Sequence, residues 1–255
     1  MPAPPDGGLS QRTSVTVFFV GQLAHATDGF SDALRIGGGG FGSVYKAALL
    51  TGGAGPVGTA YAAVKKLDPS SMQGQSEFLQ EVQVLGGCRH ENLLPLIGFS
   101  ADEGVQHEHA GVCLVMPLMK GGSLEDRLFL DTSARRRLGR LSDVAGLAGA
   151  PVHVHEALTG IQRLSVLFGA VKGLEFLHTS DPVTFKPVIM HRDIKPSNIV
   201  LDADLHARLA GLCVRDHHVA SVQTTLTPNC TYSVRSEDLH TLTVLQILGP
   251  RSRLY

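Results

Sequence analysis

The sequence lacks a surplus of either charge: 22 basic against 23 acidic side chains leave a net charge of −1 over 255 residues, and charged residues make up 18% of the chain. No overall basic field exists to draw in nucleic acid or an anionic membrane surface, so no nucleic-acid partner is expected. Cysteine is also scarce. The four present, Cys88, Cys113, Cys213 and Cys230, form no CxxC pair and no zinc-finger spacing with histidine, which points to reduced thiols in a cytosolic chain rather than a disulfide framework. Long apolar runs are absent as well. VTVFFV, residues 15 to 20, falls far short of the about 20 residues needed to cross a bilayer, so no membrane span is expected. The opening MPAPPDGGLSQR holds neither a charged segment leading into an apolar one nor a glycine at position 2. A cytoplasmic location is the expectation, and the length accommodates either one large domain or two lobes sharing a cleft.

What is present begins with a strand-turn-strand pattern. ALRIGGGGFGSVYKAALL, a Gly-rich break at 52 to 58 and TAYAAVKKL together predict a three-stranded meander over 33 to 66. In SEFLQEVQVLGGC the apolar Phe78, Val82 and Leu85 fall on one helical stripe with Glu81 at its edge, and two glycines close the helix. GVCLVMPL at 111 to 118 reads as a buried strand, and GGSLEDRL at 121 to 128 opens a short helix. A longer helix is predicted over 162 to 178, with Leu164, Leu167, Phe168, Val171 and Leu174 at core-facing spacing. Residues 100 to 111, most of 131 to 158, and 179 to 187 carry no period and are expected as loops, with Arg135 to Arg137 a solvated part of one.

Several of these stretches suit phosphate chemistry. Gly37, Gly39 and Gly42, followed by Val44, lie on a strand-turn-strand, which fits a flap over nucleotide phosphates better than the strand-to-helix turn of a dinucleotide fold. Glycine serves there because backbone amides must reach phosphate with no Cβ in the way. Ala63 and Lys65 are two apart on a strand and so share a face, placing a small residue against a base and an ammonium near phosphate, while Lys66 points the other way. Glu81 supplies a carboxylate to hold Lys65.

With IGGGGFGSVYK, AAVKKL, the Glu81 helix and HRDIKPSN in order, the chain resembles a eukaryotic protein kinase over roughly residues 27 to 215. ATDGFSDALRIGGGGFGSVYKA, RHENLLPLIGFS and GGSLEDRL are similar to the interleukin-receptor-associated and plant receptor-like, Pelle-type branch of the tyrosine-kinase-like group. The resemblance implies an α+β, two-lobed fold: a β-rich N-lobe with one helix and a mostly helical, incomplete C-lobe. It implies an N-terminal extension at 1–26, N-lobe and hinge at 27–119, partial C-lobe at 120–229 with a loop insertion at 131–158, and a divergent tail at 230–255. It also implies ATP and Mg²⁺ as cofactors, a protein substrate presenting Ser or Thr, and a signalling adaptor or receptor as partner. Carried over residue by residue, Ile36, Gly37, Gly39, Gly42 and Val44 form the flap, and Lys65 pairs with Glu81 and contacts the α/β-phosphates. Ala63 roofs adenine, Met116 is the gatekeeper, and the hinge from Pro117 through Leu118 to Met119 reads adenine through backbone groups, Pro117 having no N–H to donate. Asp193 accepts or orients the substrate hydroxyl proton, Lys195 neutralises the γ-phosphate, and Asn198 holds a metal ion.

Two departures stand out. Family spacing from Asn198 to the aspartate of Asp-Phe-Gly reaches Gly211, so Gly211, Leu212 and Cys213 replace that triad, and Asp202, Asp204 and Asp216 are all out of position. Loss of one such charge-stabilising group costs on the order of 100 to 1,000-fold in rate, so activity is expected to be impaired, with a pseudokinase that binds nucleotide or a signalling partner without catalysis as the alternative. After about residue 215 the family would continue with an Ala-Pro-Glu motif and several more lower-lobe helices, whereas here the chain ends at Tyr255. Large apolar side chains of the 162 to 178 helix are therefore expected to lack packing partners, at about 1.5 to 3 kcal/mol each. The histidines of HEH (107 to 109) and HVHE (153 to 156) read as solvent-exposed, and Cys213 as a buried inert thiol in preference to a reactive one.

Overall fold

In the computed structural model the described residues are 15–39, 42–51, 58–67, 82, 85–100, 112–142, 156–184 and 186–212. They form two lobes. The first is a six-stranded sheet of β1 (Thr16–Val17), β2 (Arg35–Gly39), β3 (Gly42–Thr51), β4 (Gly58–Leu67), β5 (Gly98–Ser100) and β6 (Cys113–Pro117), ordered β1-β5-β6-β4-β3-β2. β2, β3 and β4 are consecutive antiparallel neighbours, the predicted meander. Strand alternation divides this sheet cleanly. Ala62, Val64, Cys113 and Val115 pack under helix α1 (Val20–Ala26) with Leu23 and Phe30. Leu114 and Met116, on the opposite face, join the larger core shared with the second lobe.

The second lobe holds α2 (Leu124–Phe129), α3 (Thr132–Ser142), α4 (Gly160–His178) and a small sheet of β7 (Gly122–Ser123), β8 (Ile199–Leu201) and β9 (Ala207–Leu209). Ser123 starts α2 with a capping box: its hydroxyl accepts from Asp126 N at 3.1 Å, and Asp126 Oδ2 accepts from Ser123 N at 3.3 Å. Thr159 and Gln162 do the same for α4.

Two expectations are corrected. Residues 132 to 142, expected within a loop insertion, are helical, because Ala134, Leu138 and Leu141 recur at i, i+4 and i+7 and are buried against Leu130. Arg137 in the expected solvated run is half-buried and paired with Asp126. The long helix forms as predicted, yet it buries a different face. Val166, Gly169, Ala170, Gly173 and Leu177 point inward, whereas Leu164, Phe168 and Val171 are exposed and Leu167 and Leu174 only partly covered. The small residues permit this close approach: a Cβ on Gly173 would lie 2.7 Å from the Asn92 carbonyl oxygen and 3.0 Å from Leu209 Cδ1.

Of the expected loop at 179 to 187, the described residues form a tight turn closed by the Asp181–Lys186 bridge. Glu81, residues 101 to 111 with HEH, and Cys213 lie outside the described residues, as does all of HVHE except the exposed Glu156. No helix among the described residues is long and apolar enough to cross a membrane.

Candidate active site

A cleft of about 420 Å³ opens between the lobes, within the size range of small-molecule sites. Its roof is the β2–β3 hairpin and the adjoining face of β4. Ile36, Gly37, Gly42 and Val44 line it, and Gly39 pairs with Gly42 across the hairpin. Gly42 has a real need to be glycine: its φ is +137°, and a Cβ there would collide with the Lys66 carbonyl oxygen. Ala63 and Lys65 both face the cleft, and Lys65 sits opposite Val44 in the strand register. Lys66 points away, its ammonium 4.3 Å from the centroid of the Phe30 ring.

Met116 and Met119 form the back wall, with Met116 paired to Ala63 across β4 and β6. Leu118 instead turns toward Leu130, Leu138 and Leu141 and packs there. Its neighbours Pro117 and Met119 line the cleft, the alternation expected of an extended segment.

The floor comes from 191–198 and 210–212. His191 anchors this loop. It is 1% exposed, and burial pulls its pKa from 6.5 down to about 4 against the pull of the Ala210 backbone and the Asp193 carboxylate, so the ring is neutral at pH 7. Asp193 N donates to His191 Nδ1 at 3.4 Å. Arg192 turns the chain with φ +62°, presenting Asp193 to the cleft. Around Asp193 the charges converge: Lys195 Nζ lies 2.7 Å from Oδ2, and Asn198 Nδ2 donates to both Asp193 Oδ2 and its main-chain oxygen at 2.8 Å.

Gly211 closes the floor beside Asn198. With φ +71°, it has an ideal Cβ position 2.9 Å from Asn198 Oδ1 and 3.0 Å from both Cγ and Nδ2, so the Asn198 amide group lies against the place where a side chain would begin. This donor set does not fit a magnesium ion. Mg²⁺ demands near-octahedral oxygen ligands and is commonly held through one or two carboxylates. Here Asp193 is the only described carboxylate beside Asn198 at this end of the cleft, and it is already engaged by Lys195 and Asn198. Asp202 serves a turn instead, accepting from Asp204 N at 3.0 Å and His206 N at 2.9 Å.

The sequence reading missed the outer wall. Ser123, Glu125 and Asp126 from β7 and α2, and Arg137 and Leu141 from α3, also line the cleft. The S-x-x-D pattern and the spacing of Ala134, Leu138 and Leu141 were the signals available.

A roof of glycines over a lysine-bearing strand, and a floor carrying an aspartate, a lysine and an asparagine in one loop, define a phosphoryl-transfer cleft of protein-kinase type. The chain belongs to the protein kinase family, matching the model for protein tyrosine and serine/threonine kinases over residues 32–235. It is 36% identical to receptor-like kinase LIP1 of Arabidopsis thaliana across 78% of this chain and 26% of that protein. It is 37% identical to serine/threonine-protein kinase CDG1 of the same plant, across 79% of this chain and 38% of the relative. A rice L-type lectin-domain containing receptor kinase, SIT2, is 36% identical across 73% of this chain and 22% of its own length. The chain thus spans well under half of these relatives, and they place it with the receptor-like Ser/Thr kinases. The family generally uses ATP and Mg²⁺ and acts on protein substrates.

Proposed function

We propose that the cleft binds an adenine nucleotide and that the chain is a receptor-like serine/threonine kinase domain of strongly impaired phosphoryl transfer. The observation that carries this is Gly211 beside Asn198, in a cleft also lined by Gly37, Gly42, Ala63, Lys65, Met116, Asp193 and Lys195. In this reading the flap glycines offer backbone amides to the phosphates, Lys65 binds the α/β-phosphates with Glu81 as its carboxylate partner, and main-chain groups of Met116 to Met119 read adenine. Asp193 orients a Ser or Thr hydroxyl of a protein substrate, and Lys195 neutralises charge on the transferred phosphoryl. Binding survives because those groups are independent of residue 211. Transfer suffers because residue 211 brings no carboxylate to the end of the cleft where charge develops on the phosphoryl group, and losing one such preorganised group costs on the order of 100 to 1,000-fold.

A second reading, a pseudokinase that binds nucleotide or a signalling adaptor or receptor without transfer, draws on the same missing side chain. One experiment separates the two. Transfer from labelled ATP in the presence of Mg²⁺ is measured for the wild type, Asp193→Asn and Gly211→Asp. Aspartate tolerates a positive φ better than most residues, and the atom it would crowd is the movable end of Asn198. The impaired kinase gives slow transfer that Asp193→Asn abolishes and Gly211→Asp raises about 100-fold. Activity seen only in Gly211→Asp establishes the pseudokinase. Absence of any ATP-dependent rise in melting temperature, with divalent cation or with EDTA, overturns the impaired kinase and the nucleotide-binding form of the second reading, leaving only the adaptor- or receptor-binding one.

A further inference from the structure

Helix α3 belongs to none of the motifs that carry the kinase resemblance, yet it is fastened to both lobes. On the lower side, Arg137 Nε and Nη2 donate to Asp126 Oδ1 at 2.8 and 2.5 Å. Asp126 is buried, and its second oxygen accepts from the Ser123 hydroxyl at 2.7 Å, so the carboxylate is fully engaged. Leu138 and Leu141 pack with Leu130, and Gly122, at φ +77°, leaves the space that Leu138 fills.

On the upper side, Ile36 packs on that same cluster. Arg140 donates through Nη1 to the main-chain carbonyl of Arg35. Lys46 Nζ donates in turn to the Arg140 carbonyl at 2.8 Å, from a side chain only 6% exposed. A charged group so far from water depends on such acceptors, and its hydrogen bonds are of the strong, charge-assisted kind. Arg35 and Ile36 begin the flap hairpin, and Lys46 follows it on β3. The lobes therefore have a second link besides the covalent one through 117–121. Any rise of the flap from the floor would lift β2 off α3, because Arg35 and Ile36 are the residues held there.

We propose that α3 is a strap that fixes how far the flap can open and so sets the rate of nucleotide entry and exit, with Lys46 and Arg140 as positioning residues for the flap. The rate part rests on the nucleotide reading above; the mechanical part does not. Neither Lys46 nor Arg140 is among the side chains lining the cleft, so replacing them leaves the ligand contacts intact.

The test combines stopped-flow binding of a fluorescent ATP analogue with hydrogen exchange of the ligand-free protein, for the wild type, Lys46→Met and Arg140→Met. Association and dissociation rates should both rise about tenfold, the weight of one charge-assisted hydrogen bond, with Kd changed less than threefold because the strap acts on the barrier. The Gly37 and Gly38 amides should exchange faster in both variants without ligand. A merely structural role would lower the melting temperature of the variants and leave rates and flap exchange at wild-type values, and that result overturns the strap. If the wild type binds no analogue, the nucleotide reading fails by itself. Flap exchange then decides the strap: faster exchange in both variants retains it, and unchanged exchange removes it.

Discussion

Lowering the pH should weaken this protein through one side chain. His191 is 1% exposed beneath the backbone of the cleft floor, and burial lowers its pKa from 6.5 to about 4. The Ala210 backbone and Asp193 favour the cation and His178 disfavours it, but loss of water dominates. In the unfolded chain the ring takes its proton as pH falls through about 6.5, whereas in the folded protein it stays neutral until near 4. Between those values the unfolded state binds more protons, so the stability held above pH 6.5 is lost steadily on acidification. The gap corresponds to about 3 kcal/mol, a large part of a typical net stability of about 5 to 15 kcal/mol. Urea denaturation at about pH 7 and about pH 4.5, for wild type and His191→Phe, isolates this group from the other histidines and carboxylates that titrate in the window. The variant should lose about 2 to 3 kcal/mol less than the wild type across it. Equal losses in the two proteins would refute the assignment of a buried neutral imidazole.

Gly173→Ala should destabilise by about 2 kcal/mol or more in a thermal melt, despite alanine's better helix propensity, because the new Cβ meets the Asn92 carbonyl, which is backbone and cannot swing away. Phe168→Gln, at a position 65% exposed, should stay within about 1 kcal/mol of the wild type, whereas Leu177→Ala at 0% should cost about 2 to 5 kcal/mol; comparable losses would mean the inward face of α4 is misassigned. Cys88, whose thiol pKa is raised by burial, and the fully buried Cys113 should react with a thiol reagent only after unfolding, which peptide mapping of the labelled native protein checks.

Strand period made the roof of the cleft legible: the assignment of Ala63 and Lys65 to one face and Lys66 to the other needed only their spacing. The spacing from Asn198 likewise pointed to Gly211, and the structure sets the two side by side. Helix α4 shows where such reasoning stops. It is apolar on every side, so its period gives no direction, and contact with Asn92 and Leu209 is so close that glycine and alanine take the inner positions usually given to leucine. Helix α3 was hidden for the opposite reason. Its arginines read as a solvated run, although one of them pairs with a buried carboxylate and the three apolar residues between them form a sufficient stripe. The direction of the Leu118 side chain, away from the cleft that Pro117 and Met119 line, likewise follows from the alternation of an extended chain.

The large sheet also has two ends, and the structure leaves neither open. At one, β1 is only two residues long, too short a template for a stranger's backbone. At the other, β2 is overlain by the arginine-bearing helix, with the Arg35 carbonyl already taken. Bare strand margins are where proteins most readily zip together into aggregates. Among the described residues, association of this lobe by strand addition is therefore disfavoured, and the exposed apolar outer flank of α4 is the more available surface for self-association.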